Sequence, residues 1–240
     1  MTQKLTYAIG DIHGRLDLLL AAAGEIAAHR RGREALVVCL GDYVDRGPAS
    51  RGVIDFLMRA EAEENWICLI GNHEELMIDA HETGDMDHWF SNGGQETLAS
   101  YEGDVLPEHL EWLKGLSWMC TDDHRAFVHA GVMPGEPLEA QDERTCRWIR
   151  ERFLRAEADE LPCHIVHGHT PYHALKPNGS EPELLAHRTN LDTHAYSSGV
   201  LTVGVFDPDI PGGPVEVLSI TQALAARRRA EAFRARAAAR

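Results

Sequence analysis

At 240 residues, 44% apolar and 25% charged, the chain has the size and composition of one sizeable globular domain carrying at most a small cap. Its formal net charge of −15 excludes a body that binds nucleic acid by neutralising phosphates, which needs clustered Lys and Arg. Residues Met1 to Leu5 lack the apolar core of a signal peptide and no apolar run is long enough to span a bilayer, so a cytoplasmic protein without stable membrane insertion is expected. Cys39, Cys68, Cys120, Cys146 and Cys163 show no C-x-x-C spacing and read as small thiols of a reducing compartment.

The first predicted strand, Tyr7-Ala8-Ile9, leads into Gly10-Asp11-Ile12-His13-Gly14. Leu16, Leu19, Leu20, Ala23 and Ile26 then recur at helical spacing, which predicts a crossover helix over about 15–30 closed by Gly32. The apolar run Ala35 to Leu40 lacks polar alternation and reads as a buried parallel strand that ends in Gly41-Asp42-Tyr43-Val44-Asp45-Arg46-Gly47. Pro48 opens the next helix, whose apolar face is Val53, Ile54, Leu57 and Met58. Trp66 to Ile70 forms a third strand and delivers Gly71-Asn72-His73-Glu74 at a helix start. The three loops recur at about thirty-residue intervals, one βαβ unit each, and place their polar residues at the carboxyl edge of a sheet, where open α/β folds bind ligands.

From His81 to about Leu116 the pattern is polar, helical in places and without a strand signal; a helical insertion over the sheet edge is expected. Ser117 to Cys120 and Arg125 to Val128 predict a hairpin whose second strand ends in His129-Ala130-Gly131. A helix is expected around Trp148 to Phe153, and a strand over Cys163 to Val166 ends in His167-Gly168-His169-Thr170. Asn190 to Thr193 and Val200 to Phe206 read as closing antiparallel strands around a turn at Ser197-Ser198-Gly199. The domain is therefore expected over 1–220. The basic, Ala- and Arg-rich segment from Ala223 to Arg240 reads as a C-terminal helix or tail, a weakly folded cover of the acidic body or an arm that docks an acidic partner.

Asp11, His13, Asp42, Asn72, His129 and one histidine of the pair His167 and His169 all follow predicted strands, so a rigid scaffold holds them at one edge. Such an oxygen- and nitrogen-rich set suits hard or borderline divalent metals. Two ions sharing the Asp42 carboxylate would lower the pKa of a bridging water and clamp a phosphoryl group for in-line attack. Arg46 and Arg150 are candidates to hold phosphate oxygens bidentately. His73 is the candidate proton donor for the leaving oxygen, oriented and kept charged by Asp45.

The blocks Gly-Asp-x-His-Gly, Gly-Asp-x-Val-Asp-Arg-Gly and Gly-Asn-His-Glu, in this order and spacing, resemble the phosphoprotein phosphatase family of metallophosphoesterases. His129-Ala130-Gly131 and Gly168-His169-Thr170 are similar to its remaining metal-binding blocks, and the bacterial and phage-type serine/threonine phosphatases are the branch most resembled. The resemblance covers most of residues 5–206. It implies an α/β calcineurin-like metallophosphoesterase fold, a central mixed β-sandwich flanked by helices. It implies Asp11, His13 and Asp42 at the first metal, with Asp42 bridging and Asn72, His129 and His169 completing the second. It further implies His73 with Asp45 as the acid pair, and Arg46 and Arg150, with Asn72, toward phosphate; Arg147 or Arg152 replaces Arg150 if the local helix slips. Two divalent ions are implied, manganese first and iron or zinc as alternatives.

One departure stands out: the bacterial family commonly has Asp-Thr-Gly-Ala where this chain has Asp192-Thr193-His194-Ala195. Either the backbone there is ordinary, or His194 contacts substrate. The expected activity is hydrolysis of phosphoserine or phosphothreonine in a protein or peptide partner. The alternative is hydrolysis of dinucleoside polyphosphates, a sister group that typically has Gly-His-Trp where this chain has Gly168-His169-Thr170.

Overall fold

The computed structural model describes residues 4–171 and 180–238. Strands β1 (Leu5–Ile9), β2 (Ala35–Cys39) and β3 (Trp66–Cys68) pair in parallel, linked by helices α1 (Leu16–Arg30) and α2 (Ser50–Glu63). Helix α3 (Asn72–Thr83) follows β3, and three short helices, α4 (Asp87–Phe90), α5 (Gly94–Ser100) and α6 (Pro107–Lys114), fill the segment where helices without strands are expected. Strands β4 (Met119–Thr121) and β5 (Arg125–Val128) form the expected hairpin.

The helix expected through Trp148 and Phe153 is two pieces, α7 (Glu143–Trp148) and α8 (Glu151–Leu154). Asp142 caps α7 by accepting the Thr145 N–H at 2.9 Å, and Arg150, with φ −130° and ψ −102°, breaks the run before α8 begins. Strand β6 (His164–His167) follows, then β7 (Glu183–Leu184) and β8 (Arg188–Asn190).

The expected closing hairpin is also corrected. β8 ends at Asn190 and pairs in parallel with β6, whereas β9 (Val200–Phe206) belongs to the other sheet, antiparallel to β1 and to β10 (Glu216–Thr221). Between them the Asp192 carboxylate accepts the His194 N–H at 2.8 Å, and His194 turns the chain into the short helix α9 (Ala195–Ser198). The result is two five-stranded mixed sheets, β10-β9-β1-β2-β3 and β4-β5-β6-β8-β7.

Side-chain alternation explains how the sheets stack. On β2, Ala35, Val37 and Cys39 face the helical layer of α1 to α3, while Val38 and, just beyond, Leu40 join Ala8, Leu69, Phe127, Val166, Leu191 and Phe206 between the sheets. On the far side, Ala126, Val128 and Ile165 meet Cys146 and Phe153 from α7 and α8. Central strands are thus buried on both faces, which is why they read as unbroken apolar runs. The chain closes with α10 (Gln222–Ala238), which packs on α1 and pairs Arg228 with Glu25 at 2.7 Å. Among the described residues no helix is long and apolar enough to cross a membrane. All five cysteines are free thiols.

Candidate active site

The three Gly-containing loops are sewn to one another by backbone groups. Ile12 and His13 donate their N–H to the Asp42 carbonyl at 3.0 and 2.8 Å, and Gly14 donates to Tyr43 at 2.8 Å. Glu74, fully buried, ties the second loop to the third: its carboxylate accepts from Asp42 N (2.8 Å), Tyr43 N (2.7 Å), Val44 N (3.2 Å) and Gly71 N (2.9 Å). Burial and the nearby Asp42 push Glu74 up to about 7, against the pull of these N–H donors. Glu74→Gln puts an N–H₂ group where only acceptors fit, so a loss of about 2–3 kcal/mol is expected in denaturant unfolding. Gly71 is needed at this junction because an added Cβ would run into the Asp42 carboxylate.

Backbone conformation marks the same region. Of eight non-glycine residues with positive φ among those described, His13, Asp42, Asp45, Arg46, His169 and His194 lie here, with φ between 44° and 72°. Left-handed backbone is costly for such residues and persists where surrounding bonds over-determine it, a pattern that clusters at functional sites.

The loops bring together two groups whose ligand atoms lie within 4.8 Å of one another: Asp42, His129 and His169, and His13, Asp42 and His73. Asp42 is common to both. In the first group His129 Nδ1 donates to the Leu40 carbonyl at 2.9 Å, which leaves its Nε2 as a lone pair. That nitrogen faces Asn72 Oδ1 at 2.9 Å, His169 Nδ1 at 3.2 Å and Asp42 Oδ1 at 3.3 Å. At most one proton, on His169 Nδ1, fits within this set. His169 Nε2 is itself buried without a hydrogen-bond partner. Burial lowers the pKa of His129 and holds that of His169 well below the ordinary value, so both are neutral, the form that ligates metal. Convergent lone pairs at this spacing fit a divalent cation better than they fit one another.

In the second group His13 Nδ1 donates to the Val44 carbonyl at 2.8 Å, and its Nε2 lies 3.5 Å from Asp42 Oδ2. Burial holds His13 well below its ordinary pKa as well. Burial alone would raise Asp42, but the surrounding His129, His73, His13 and His169 lower it instead, and of these only His73 has a raised pKa and so a charge to set against the carboxylate. Asp11 stands apart from both groups. Its carboxylate accepts the His169 backbone N–H at 3.0 and 3.2 Å, and burial together with Asp192 and Asp42 raises its pKa well above the usual range. A multiply charged cation would relieve the repulsion that Asp192 and Asp42 exert on the buried Asp11 carboxylate.

His73 Nδ1 sits 2.7 Å from Asp45 Oδ2. Burial opposes protonation of His73, but Asp42 and Asp45 outweigh it and raise its pKa. Arg46 lies between His13 and His73, with Nη1 2.8 Å from His13 Nε2 and Nη2 2.9 Å from His73 Nε2. Arg150 reaches the His169 carbonyl at 3.2 Å and Thr170 Oγ1 at 2.9 Å, whereas Arg147 is drawn away to Glu75 at 2.8 Å. His167 is tied elsewhere, with Nε2 3.3 Å from Arg188 Nη1 and its ring edge-on to Phe153. Burial and the Arg188 charge lower it to about 3.

Residues that belong to none of the sequence blocks support these groups. Trp89 Nε1 and Thr97 Oγ1, on α4 and α5, donate to Asp45 Oδ1 at 2.9 and 2.8 Å. Gly93, at φ 101°, accepts the Arg46 N–H at 3.1 Å, and a Cβ there would stand 2.8 Å from Arg46 Cγ. The short helices therefore buttress Asp45 and Arg46. Thr97→Val is expected to lower kcat by about tenfold with KM little changed, as loss of a supporting hydrogen bond does; steady-state kinetics checks it.

The family described as Calcineurin-like phosphoesterase matches residues 5–198. The chain belongs to this family. The chain is 29% identical over 178 residues to serine/threonine-protein phosphatase 1 of Salmonella typhimurium, covering 69% of this chain and 78% of that protein. It is 33% identical over 128 residues to the symmetrical bis(5'-nucleosyl)-tetraphosphatase of Neisseria meningitidis, over 53% of this chain and 44% of the relative. A crystal structure of a putative diadenosine tetraphosphatase superposes with a TM-score of 0.64 at 20% identity, covering 92% of this chain and 94% of that one. As a calcineurin-like phosphoesterase the chain is a hydrolase of phosphate esters, and its His and Asp clusters are of a kind that binds divalent metals.

Proposed function

We propose that the chain is a metal-dependent phosphomonoesterase whose substrates are phosphoserine and phosphothreonine in proteins or peptides. The observation that carries this reading is Asp42 faced by His129 and His169 through one oxygen and by His13 through the other, with the His73–Asp45 pair, Arg46 and Arg150 beside them and Asp11 reaching in through the His169 backbone. Asp11, His13 and Asp42 would hold one divalent ion, and Asp42, Asn72, His129 and His169 a second. Manganese is the first expectation, with iron or zinc as alternatives. Two ions bound there would supply an ionised water at neutral pH and offset charge on the phosphoryl oxygens.

The remaining steps belong to side chains. Arg46 and Arg150 orient the phosphate by paired N–H donation, so that the ester oxygen points toward His73. With an anion between them, the Arg46 donors turn to phosphate oxygens and His73 Nε2 carries a proton. Asp45 holds the other ring nitrogen and favours the charged imidazole, which protonates the departing alkoxide.

A second reading, hydrolysis of dinucleoside tetraphosphates, is favoured by the Neisseria relative, whose matched segment is shorter but of slightly higher identity than that of the Salmonella phosphatase. Turnover of a phosphoserine peptide and of diadenosine tetraphosphate by the same manganese-loaded preparation separates the two. Higher kcat/KM on the peptide is expected; turnover of the dinucleotide alone would reverse the order.

A further inference from the structure

Beside Arg46 a cavity of about 330 Å³ opens between the α4–α5 turn and α9, lined by Arg46, Ser91, Asn92, Gly93, Glu96 and Tyr196. Its position relative to the chemistry is set by two contacts. The Arg46 guanidinium stacks over the Tyr196 ring with Cζ 5.2 Å from the centroid, and the edge-on contact between Tyr196 and His13 spans 5.6 Å. The same guanidinium reaches His73, so the cavity adjoins the flank where the leaving group would receive its proton.

The Tyr196 wall is tied to its neighbours on both sides. Arg15, buried and paired with Asp17, donates Nη1 to the Ala195 carbonyl at 2.8 Å. His194 adopts φ 58° and sets its ring edge-on to Tyr196 at 4.3 Å. The left-handed turn at His194 thus carries a non-glycine residue, and its ring is built into this wall. Opposite, Glu96 lies exposed on α5, and Arg46, already directed at the phosphoryl position, is the sole cation among the described lining residues.

We infer that this cavity is the subsite for the substituent next to the scissile ester, with Tyr196 and the Arg46 guanidinium stacked on it as one wall and Glu96 selecting a basic side chain beside the phosphoserine. The inference rests on the phosphopeptide reading above and narrows it to a substrate class. A lysine ammonium in the cavity meets the Glu96 carboxylate and the polar rim of Ser91 and Asn92. A polyphosphate leaving group would meet that carboxylate with no cation to spare, and a nucleobase on Tyr196 would compete with the stacked guanidinium.

The test is kcat/KM on two phosphoserine peptides that differ only in carrying lysine or glutamate on both sides of the phosphoserine. A preference for the lysine peptide of about fivefold is expected, the size of one partly screened ion pair, and it should shrink as salt rises. Glu96→Gln should erase the preference and Glu96→Lys reverse it; both changes are on the exposed surface of α5, where the fold does not depend on them. Tyr196→Ala should raise KM for both peptides, with Tyr196→Phe retaining it. Equal kcat/KM on the two peptides, or a ratio unmoved by Glu96→Gln, overturns the subsite while leaving the phosphopeptide reading intact. Failure to hydrolyse either peptide, with turnover of diadenosine tetraphosphate, overturns that reading and the subsite together.

Discussion

Replacing His73 by asparagine is expected to lower kcat on a phosphoserine peptide by about 10²–10⁴, the range that general-acid catalysis supplies. The size follows from what the alkoxide of serine needs: it is a poor leaving group unless it takes a proton as the bond breaks. His73 is the donor we propose, with Nδ1 2.7 Å from Asp45 and a pKa raised, against burial, by Asp42 and Asp45. An aryl phosphate whose phenolate leaves readily should lose far less than the peptide does. That difference separates an acid from a residue that merely packs, because a packing defect would slow both substrates alike. A rate within a few-fold of the unmodified protein on the peptide would remove His73 from this role.

Asp42→Asn should do more damage still, and of another kind. Asp42 Oδ1 lies 3.3 Å from His129 Nε2 and Oδ2 lies 3.5 Å from His13 Nε2, so one carboxylate serves both donor groups. Asparagine keeps one acceptor oxygen and loses the negative charge at the point where the four histidines converge. Metal affinity should fall at both positions, and the rate should drop by more than the roughly 10–100-fold that losing a supporting residue costs. Metal content after gel filtration, measured beside the rate, checks this: retention of the full complement would show that Asp42 is not shared.

What the sequence made legible follows from how the loops are built. Asp11, His13, Asp42, Asn72, His129 and His169 each come shortly after an apolar run that both layers of a sandwich bury, so strand and polar loop are adjacent in the chain. The support of the site was hidden for the opposite reason. Trp89 and Thr97 reach Asp45 from 44 and 52 residues away, and nothing in their local pattern points to a carboxylate. An aromatic and a hydroxyl on short helices read as packing. Likewise β7 and β8 are too short to show a strand period, and β8 is lined by Arg188, Thr189 and Asn190 rather than by apolar residues. The break between α7 and α8 depends on the backbone angles of Ile149 and Arg150, and the left-handed conformation of His194 runs against the preference of its side chain. These are tertiary facts, imposed by the loops and turns around each residue.

That two cations sharing Asp42 drive phosphate-ester hydrolysis in this chain is the proposal on which the rest depends. It is tested most directly by stripping the protein with a chelator and adding manganese back in measured equivalents while following phosphoserine-peptide hydrolysis. Activity should be absent after stripping and rise to a plateau at about two equivalents per chain. Hydrolysis that survives stripping, or a plateau at one equivalent, would contradict the account.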